Sequence, residues 1–414
     1  MTTPAGPVGH EQAAGMRLIA HDDLGGRGNV GEGIGLHVSR GRRTLYLAHE
    51  SGPVNFSVVD VGDPRAPRLV EQTTLPQPGL RSNSLAVAGD LMVVCYQEGN
   101  RWRGPRLRPV GLEVFDLSAD PHHPRSIGFW DASGPRSRGT HCVWFVDGRF
   151  AFLSTGTADS RPTHPRDDQF VVILDLADPA RPVEVGRWWL PGTQEGDSDP
   201  PPERHPRFDS GFRSHNVNVY PERPDRAYCG YIDAGVVILD IGDRAHARLV
   251  SRLDYHPPLP GFTHTAVPLL SRGLLAVTDE AVREGGADWP KPLWLMDVSV
   301  ETNPTILGTA PLPIEELRGR GGRAGAHNLH ENDPSAVAWR SDDVVVGAFF
   351  NGGVRAYDVR DPFHPREVGH LVPEAPPGSP AGAAQINDVF VDERRLIYAV
   401  DRFTGGLYVI EADF

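Results

Sequence analysis

Four histidines occupy the same position in four consecutive copies of a repeated sequence fragment. The fragments are GTHCVWF, RSHNVNV, FTHTAVP and GAHNLHE, and their third residues are His141, His215, His264 and His327. Neutral imidazoles that meet at close range each offer one lone pair, and a divalent transition metal is the natural ion for such a set. The pattern therefore predicts a four-histidine metal site, with a hydrated polar channel as the alternative.

The donor type favours Fe(II) as the first choice of metal, with Mn, Cu or Zn as further candidates. Ca²⁺ and Mg²⁺ prefer oxygen donors, and structural zinc usually sits in a closed site with cysteine ligands. A ring of histidines at a channel mouth leaves one coordination position open, as catalytic metal sites require. The predicted cofactor is therefore a divalent transition metal at a site that can also take up a substrate.

Three acids are expected to orient the histidines or to move protons. Glu280 and Asp401 end the second strands of their repeats, and Asp388 lies in the first strand of the last repeat. Histidine ligands usually donate their second N–H to a carboxylate or a carbonyl oxygen, which fixes the ring. Glu280, Asp401 and Asp388 are therefore the predicted catalytic acids, and Glu331 is a less favoured candidate.

Polar and basic residues near the histidines are expected to bind the substrate. Asn83 and Gln385 take the histidine position in two other copies of the fragment, and arginines recur in the long loops. The loop arginines chosen as candidates are Arg101, Arg103 and Arg323. On an acidic protein such arginines would attract an anionic substrate, and a solvated loop is the alternative explanation.

A repeated unit of strand, turn and strand positions all of these residues. The unit occurs six times with an aspartate at the end of its first strand. A degenerate seventh copy follows at the end of the sequence. The aligned acids are Asp60, Asp116, Asp175, Asp240, Asp297 and Asp358, with Glu411 seventh. β-Branched and apolar residues form the strands, and the Asp/Pro steps form the turns. We expect the six aspartates to bond turn amides.

A pair of strands precedes each unit, so that each repeat is a four-stranded sheet. Seven such sheets predict an all-β fold, a seven-bladed β-propeller. The last repeat lacks an outer strand, and the N-terminal residues 16–21 can supply it and close the ring. The predicted organisation is a disordered or extended segment over residues 1–15 and a single propeller domain over residues 16–414.

The propeller fold would gather the aligned fragments around one axis. The innermost strands of the blades surround that axis, so their first residues form a ring at one end of the channel. Blade 1 offers the looser fragment IGLHVSR, with His37 one step out of register. Most long loops fall on the same face as this ring, which is where sites are usually built.

The repeats resemble those of the LVIVD-repeat β-propeller family. The most specific elements are the xxDxxDPxxPxxVG units and the HNLHEN stretch at residues 327–332. The resemblance covers nearly the whole chain after about residue 16. It implies a propeller fold strongly and a function weakly, because propellers host many activities.

The composition limits the possible partners. With 41 basic and 54 acidic residues the net charge is −13, which disfavours nucleic-acid binding. No apolar run approaches the roughly 18 residues of a membrane span, and the first residues lack the features of a signal peptide. We therefore expect a cytoplasmic protein with a small-molecule substrate and no membrane partner; the oligomeric state is left open.

The leading hypothesis is a metal-dependent oxidoreductase or oxygenase that acts on a small organic molecule at the propeller axis. An anionic substrate is considered because of the loop arginines. A non-oxidative metal-dependent lyase, isomerase or hydrolase is the first alternative, with the metal as a Lewis acid. A non-catalytic propeller that binds a ligand or a protein is the second.

Overall fold

A computed structural model describes residues 9–99, 104 and 106–414, and its regular structure is almost entirely β-strand. Seven antiparallel sheets form the blades of a β-propeller, as the repeats predict. Each blade runs from an inner strand at the axis to an outer strand at the rim. The prediction of a seven-bladed propeller is confirmed.

The first three blades follow one another directly along the chain. Blade 1 consists of Val30–Ser39, Arg42–His49, Val54–Asp60 and Arg68–Thr74. Blade 2 has a divided inner strand and consists of Leu80–Arg81, Leu85–Ala88, Leu91–Glu98, Gly111–Asp116 and Arg125–Asp131. Blade 3 consists of Thr140–Trp144, Phe150–Thr155, Phe170–Asp175 and Val183–Trp188.

The remaining blades continue the same order. Blade 4 consists of Val217–Tyr220, Arg223–Gly230, Val236–Asp240 and Arg248–Leu253. Blade 5 consists of Thr263–Leu269, Leu274–Asp279, Leu293–Asp297 and Thr305–Thr309. Blade 6 has the strands Val344–Ala348, Val354–Asp358 and Arg366–Pro373, and blade 7 has Ile386–Val391, Leu396–Asp401 and Leu407–Ala412.

The inner edge of blade 6 is an irregular segment that contains HNLHEN. Leu329 forms an isolated bridge with Gly347, and the amide of His327 donates to the carbonyl of Ala348. The amide of His330 donates to the carbonyl of Val346. The segment therefore takes the place of an inner strand without having regular pairing.

The N-terminus closes the ring, and it does so at two blades. Met16–Asp22 pairs antiparallel with Leu407–Ala412 and supplies the outer strand of blade 7, as predicted. His10–Ala14 pairs antiparallel with Arg366–Pro373 and adds a further strand outside blade 6. Residues 10–14, which the sequence places ahead of the propeller domain, are thus part of a blade.

The six repeat aspartates shape the turns between the third and fourth strands. Each accepts a hydrogen bond from the backbone amide two residues later, at 2.8 to 3.0 Å. This geometry starts the turn and ends the strand ladder. Their predicted structural role is confirmed.

Apolar side chains pack between neighbouring blades, while the axis is lined by polar residues. One cluster joins Leu45 and Val59 of blade 1 to Phe390 and Tyr398 of blade 7. The three cysteines are buried thiols in strands. These packed interfaces hold the inner strands at fixed positions around the axis.

Little of the described chain is helical. One α-helix, Ile314–Arg320, lies in the loop between blades 5 and 6, and two 3₁₀ helices cover Arg244–His246 and Leu270–Arg272. Over the residues that the structure describes, no helix has the length and apolar character needed to cross a membrane.

Candidate metal centre

The four predicted histidines meet at the propeller axis. The ring centroids of His141 and His215 are 4.5 Å apart, those of His215 and His264 3.6 Å, and those of His264 and His327 4.5 Å. All four side chains are buried. Residues from blades 3 to 6, spread over 187 positions of sequence, therefore form one cluster.

β-Bulges aim some of these side chains at the axis. In blade 3, Thr140 pairs with Thr155 and Cys142 with Ser154, so that His141 is an extra residue in the strand. His264 is the extra residue in blade 5, where the register shifts in the same way. A bulge leaves its extra residue unpaired and redirects its side chain, and bulges are common next to functional sites.

Hydrogen bonds at Nδ1 hold the imidazole rings so that their Nε2 atoms face one another. Nδ1 of His215 bonds the side-chain oxygen of Asn216 at 2.7 Å, and Nδ1 of His264 bonds the hydroxyl of Thr265 at 2.8 Å. Nδ1 of His327 bonds the backbone carbonyl of a blade 7 residue at 2.5 Å. A proton held on Nδ1 leaves the Nε2 lone pair free to bind a metal.

None of these Nδ1 atoms has a carboxylate partner among the described residues. Nδ1 of His141 lies 3.0 Å from the side-chain oxygen of Gln97 and 3.1 Å from Nη2 of Arg81. An amide, a hydroxyl and a carbonyl hold the other three rings. The groups that hold His141 and His327 come from neighbouring blades, and those that hold His215 and His264 follow them directly in the chain.

Glu32 of blade 1 is a functional residue that sequence reasoning missed. Its Oε2 atom lies 3.9, 3.6 and 3.7 Å from the Nε2 atoms of His141, His215 and His264. Its Oε1 atom lies 3.7 Å from Nε2 of His327. The carboxylate of Glu32 therefore stands among all four imidazoles.

Two glycines allow Glu32 to reach the axis. A Cβ atom on Gly31 would lie 2.4 Å from the carbonyl oxygen of Asn83, and one on Gly33 would lie 2.3 Å from the amide of Leu85. The amide of Glu32 donates to the same Asn83 carbonyl at 2.6 Å. The sequence GEG is the signal that could have identified this residue.

His37, the looser candidate of blade 1, does not belong to the cluster. Its Nε2 atom lies 2.9 Å from the carboxylate of Asp90, which sits in the turn after the inner strand of blade 2. His37 is thus near the far end of its own strand. The expectation failed because Gly31, Glu32 and Gly33 together oppose a single residue of the next strand and shift the register.

Several buried polar atoms at this site have no hydrogen-bond partner among the described residues. They are Oε2 of Glu32 and the Nε2 atoms of His264 and His327. The Nε2 atoms of His141 and His215 face each other at 2.8 Å. Two lone pairs in this position repel unless a proton or a metal ion lies between them.

The donor atoms form two overlapping groups that share His264, and each group is a candidate site for one ion. Ligand atoms of Glu32, His215 and His264 lie within 4.8 Å of one another, as do those of His264, Glu280 and His327. Two ligands at about 2.1 Å from one ion are at most about 4.2 Å apart. The distances from Glu32 to the four Nε2 atoms all fall below that limit.

Burial keeps His215 and His327 neutral, and neighbouring groups keep Glu280 and Glu32 ionised. Burial lowers the pKa of His215 to about 4 and that of His327 to about 3. Burial alone would raise the pKa of Glu280, but His327 and Arg323 lower it to about 2. Burial alone would also raise the pKa of Glu32, but the surrounding histidines hold that pKa well below the usual range. This is the protonation state that metal binding requires.

Of the predicted acids, Glu280 lies at the cluster. Its Oε1 atom is 3.6 Å from Nε2 of His327, and it accepts a hydrogen bond from the guanidinium of Arg323. Asp401 instead accepts hydrogen bonds from the amides of Gln385, Phe403, Thr404 and Gly405. Asp401 therefore organises the loop after its strand.

The predicted polar ligands Gln385 and Asn83 have structural contacts. Gln385 accepts from the amide of Arg323 and donates to the carbonyl of Ala384. Asn83 accepts from Arg81 at 3.3 Å. In blade 7 the bulged residue is Asn387, two positions after Gln385, and its carbonyl is the acceptor for His327. Arg101 and Arg103 lie outside the described residues.

His330 is held by backbone groups and does not join the ring. Its Nε2 atom bonds the carbonyl of Trp339 at 2.6 Å, and its Nδ1 atom accepts from the amide of Val391 at 3.2 Å. His327 and His330 therefore have different roles although only two residues separate them.

Beyond Glu32 the channel continues into a cavity of about 70 Å³ lined by acids. Glu331, Asp333 and Asp388 line it, together with later residues of the inner strands. Burial raises the pKa of each of these three carboxyl groups. We call this region the carboxyl end of the channel, and the cluster of Glu32, Glu280 and the four histidines the histidine end. The predicted catalytic acid Asp388 thus lies at the carboxyl end, where it accepts from the amide of Val389.

Comparisons with known proteins define the class of the molecule, a β-propeller, and no family. No family model matches the chain, and no curated protein matches it. The β-propeller domain of Cps50 (Swd1) from Myceliophteria thermophila has a TM-score of 0.53 and 13 % identity, covering 92 % of this chain and 97 % of that one.

Two other solved structures are similar in the same way. Sqt1 from Saccharomyces cerevisiae has a TM-score of 0.54 and 9 % identity, covering 95 % of this chain and 98 % of that one. The periplasmic gluconolactonase PpgL from Pseudomonas aeruginosa has a TM-score of 0.54 and 13 % identity, with coverage of 88 % and 93 %. At these identities the similarity extends to the fold alone.

Proposed function

We propose that this protein is a metal-dependent enzyme whose metal is held at the histidine end of the channel. The ligands are His141, His215, His264 and His327, and Glu32 supplies a carboxylate. The observation that carries the proposal is a set of buried, unpartnered atoms, Oε2 of Glu32 and Nε2 of His264 and His327, in which both nitrogens lie 3.7 Å from the Glu32 carboxylate. Buried polar atoms are rarely left unpaired in native proteins, and one ion would satisfy all of them.

Fe(II) is the first choice of metal, and Mn, Cu or Zn fit the same donors. When bound, the ion would supply a Lewis acid and, for Fe or Cu, a redox centre. Four nitrogen donors suit the redox-active ions, which makes an oxidoreductase or oxygenase the preferred reaction class. Glu280 is ionised at neutral pH and is the group that can accept a proton beside His327.

We further propose a small organic substrate that enters from the face carrying the long loops, and a cytoplasmic location. An anionic substrate is favoured by the guanidinium of Arg323, which lies against Glu280. Nucleic acid and membrane surfaces are disfavoured by the net charge of −13.

A non-oxidative hydrolase, lyase or isomerase is the second candidate. Glu32 adds an oxygen donor to the four nitrogens, and a mixed set of this kind also suits Zn or Mn acting as a Lewis acid. The gluconolactonase named above shares the fold with this chain and supports the second candidate no further than that.

Metal analysis tests the proposal directly. The protein is loaded anaerobically with Fe(II), Mn(II), Cu(II) or Zn(II), desalted and analysed for bound metal. We expect about one ion per chain for the wild type and at least about 10-fold less for His264→Ala, because His264 belongs to both possible ligand sets.

His37→Ala is the matched control, since His37 is equally buried but lies at the other end of an inner strand. It should keep the wild-type metal content, and thermal unfolding would confirm that both variants are folded. Negligible metal in the wild type, or equal metal in wild type and His264→Ala, would overturn the proposal. Oxygen uptake with candidate substrates then separates the two reaction classes, because only the oxidative one consumes O₂.

A further inference from the structure

Five arginines form a collar around the histidine end of the channel. They come from blades 2, 3, 4, 6 and 7 or the loops that lead into them, and they are Arg81, Arg138, Arg213, Arg323 and Arg402. Arg81, Arg138 and Arg213 lie two or three residues ahead of Asn83, His141 and His215. The same geometry that gathers the histidines therefore also gathers guanidinium groups.

The collar is in direct contact with the proposed metal ligands. Nη2 of Arg81 lies 3.1 Å from Nδ1 of His141. The guanidinium carbons of Arg323 and Arg402 lie 5.2 and 5.8 Å from the centroid of the Phe350 ring, which is 4.5 Å from the ring of His327. Cations therefore border the histidine end on the sides of blades 2, 6 and 7.

The collar carries more positive charge than its acidic partners neutralise. Glu50 accepts from both Arg81 and Arg402, while Asp168 and Glu280 each accept from one arginine of the collar. Five guanidinium groups thus share three hydrogen-bonded carboxylates, and Glu32 is a fourth acid close to Arg81 and Arg402. A local excess of positive charge stands out in a chain whose net charge is −13.

Arg213 is the arginine of the collar without a carboxylate partner among the described residues. Its Nη1 donates to the side-chain oxygen of Gln169 at 2.7 Å, and its Nε donates to the carbonyl of Ser210 at 3.1 Å. Burial, together with the nearby charge of Arg138, lowers the pKa of Arg213 to about 10. Asp168, Asp233 and Glu280 are near enough to favour its charge, but none of them bonds to it. A largely buried cation without a bonded carboxylate is costly and can be retained for a ligand that it binds.

The loop that carries Arg213 is fixed in place. Asp233 accepts hydrogen bonds from the amides of Ser210 and Gly211 at 2.6 and 2.7 Å. Asp167 accepts from the amide of Phe212 at 2.8 Å. These bonds hold the backbone on the N-terminal side of Arg213, so its guanidinium is pre-organised rather than mobile.

We propose that the arginine collar binds the anionic oxygen group of a small molecule, a carboxylate or a phosphate, with Arg213 as the anchoring residue. The planar guanidinium matches both groups by paired N–H donors. The identification of the bound anion as the substrate rests on the proposed function. Anion binding by the collar is independent of it, because no collar residue needs the metal. Bound in this way, an anionic head group would place the rest of the molecule beside Glu280 and the histidines.

Calorimetric titration of chelator-treated, metal-free protein tests the collar alone. Succinate and inorganic phosphate are the probes, and neutral succinamide is the matched control ligand. We expect saturable binding of at least one anion, no binding of succinamide, and weaker binding as the salt concentration rises. Preference for succinate or for phosphate identifies which anionic group the collar takes.

Arg213→Gln should weaken anion binding at least about 10-fold, because a charged hydrogen-bonding partner is lost. Arg213→Lys should retain part of the affinity, and Arg181→Gln, an exposed surface change, should leave it unaltered. If Arg213→Gln does not fold, the lysine variant and the salt dependence of the wild type decide. Absence of saturable binding of either anion, or equal affinity in wild type and Arg213→Gln, would overturn the inference.

The two proposals fail separately. Anion binding through Arg213 in a protein that takes up no metal would leave the collar intact and remove the metalloenzyme. Stoichiometric metal without anion binding would remove the collar and leave the metal centre.

Discussion

The two ends of the axial channel hold buried acids in opposite electrostatic surroundings. At the histidine end, Glu280 lies against Arg323 and His327, and its pKa is lowered to about 2 in spite of burial. At the carboxyl end, Asp388 has Glu331 as a charged neighbour, and burial and that neighbour raise its pKa well above the usual value. Burial is common to both, so the neighbouring charges decide which acid is ionised.

The two ends should therefore respond to pH in opposite directions. The unfolded chain binds protons at histidines with an ordinary pKa of 6.5, while folded His215 and His327 bind them only near pH 4 and pH 3. Stability from the histidine end is thus lost as the pH falls from about 6.5 toward 4. Acids with a raised pKa, such as Asp388, contribute stability below the ordinary carboxyl pKa and lose it as the pH rises through the raised value.

Replacing one acid at each end gives the largest expected contrast. Glu32→Gln should lower metal affinity by about 10- to 100-fold, because it removes the carboxylate that faces all four Nε2 atoms. Asp388→Asn should leave metal affinity unchanged. Chelator competition measures both, and equal losses in the two variants would show that the ends do not differ in this respect.

Removing one buried histidine should make the free energy of unfolding less sensitive to acid. In metal-free protein, His215→Gln should reduce the loss of unfolding free energy between pH 7 and pH 4.5 by about 1–3 kcal/mol, since one pKa unit corresponds to about 1.4 kcal/mol. Urea unfolding at the two pH values measures this. His246→Gln, at a site where the side chain is 73 % exposed, is the control and should keep the wild-type slope.

One added methyl group at Gly31 should disturb the close packing of blade 1 against blade 2. Gly31→Ala would place a Cβ atom 2.4 Å from the carbonyl oxygen of Asn83, and we expect a destabilisation of about 1–3 kcal/mol together with weaker metal binding. Gly319→Ala, where the added atom meets nothing within 4 Å, is the matched control. Unfolding curves and metal content are measured on both; an unaffected Gly31→Ala protein would contradict the role of the glycines.

A smaller effect is expected at the carboxyl end. Asp388→Asn should stabilise the protein by up to about 1 kcal/mol at pH 8, to the extent that the wild-type acid is ionised there, because it removes a largely buried charge. It should have little effect at pH 4, where the acid is protonated. The exposed Asp178→Asn serves as the control with no change at either pH. A destabilisation at pH 8 would mean that the Asp388 carboxylate has a partner that offsets its burial.

The fold is predictable from the sequence because every blade carries the same local sequence pattern. Each copy carries the same apolar strands and the same aspartate two residues before a turn amide, so six independent copies support one architecture. The ring closure by Met16–Asp22 follows from the missing outer strand of the last repeat. The pairing of His10–Ala14 with blade 6 leaves no comparable trace, since blade 6 already has its four strands.

The site is predictable where the inner strands keep one register and is missed where they do not. His141, His215, His264 and His327 align because each lies where the inner edge of its blade begins, even in blade 6, where that edge is irregular. The repeat alignment misses Glu32 because a three-residue bulge shifts the register of the inner strand of blade 1. It selects Gln385 instead of Asn387 because the segment before the inner strand of blade 7 is offset by two residues.

Most of the arginine collar escapes a strand-based alignment for a related reason. Arg138, Arg213 and Arg323 lie in the approaches to the inner strands, where the spacing to the aligned position varies between blades. Arg402 follows the second strand of blade 7 and reaches the collar from another direction. Only three-dimensional placement brings these residues together.

The double pairing of the N-terminal strands has a consequence for synthesis on the ribosome. Met16–Asp22 and His10–Ala14 are made before any blade, yet their partners, Leu407–Ala412 and Arg366–Pro373, are made after nearly all the others. Two strand edges must therefore wait, unpaired, until the outer strand of blade 6 and the last strand of blade 7 have been made. During that interval the nascent protein is an open ring, exposed to proteases, chaperones and neighbouring chains, and only completion of the last blade makes it a closed molecule.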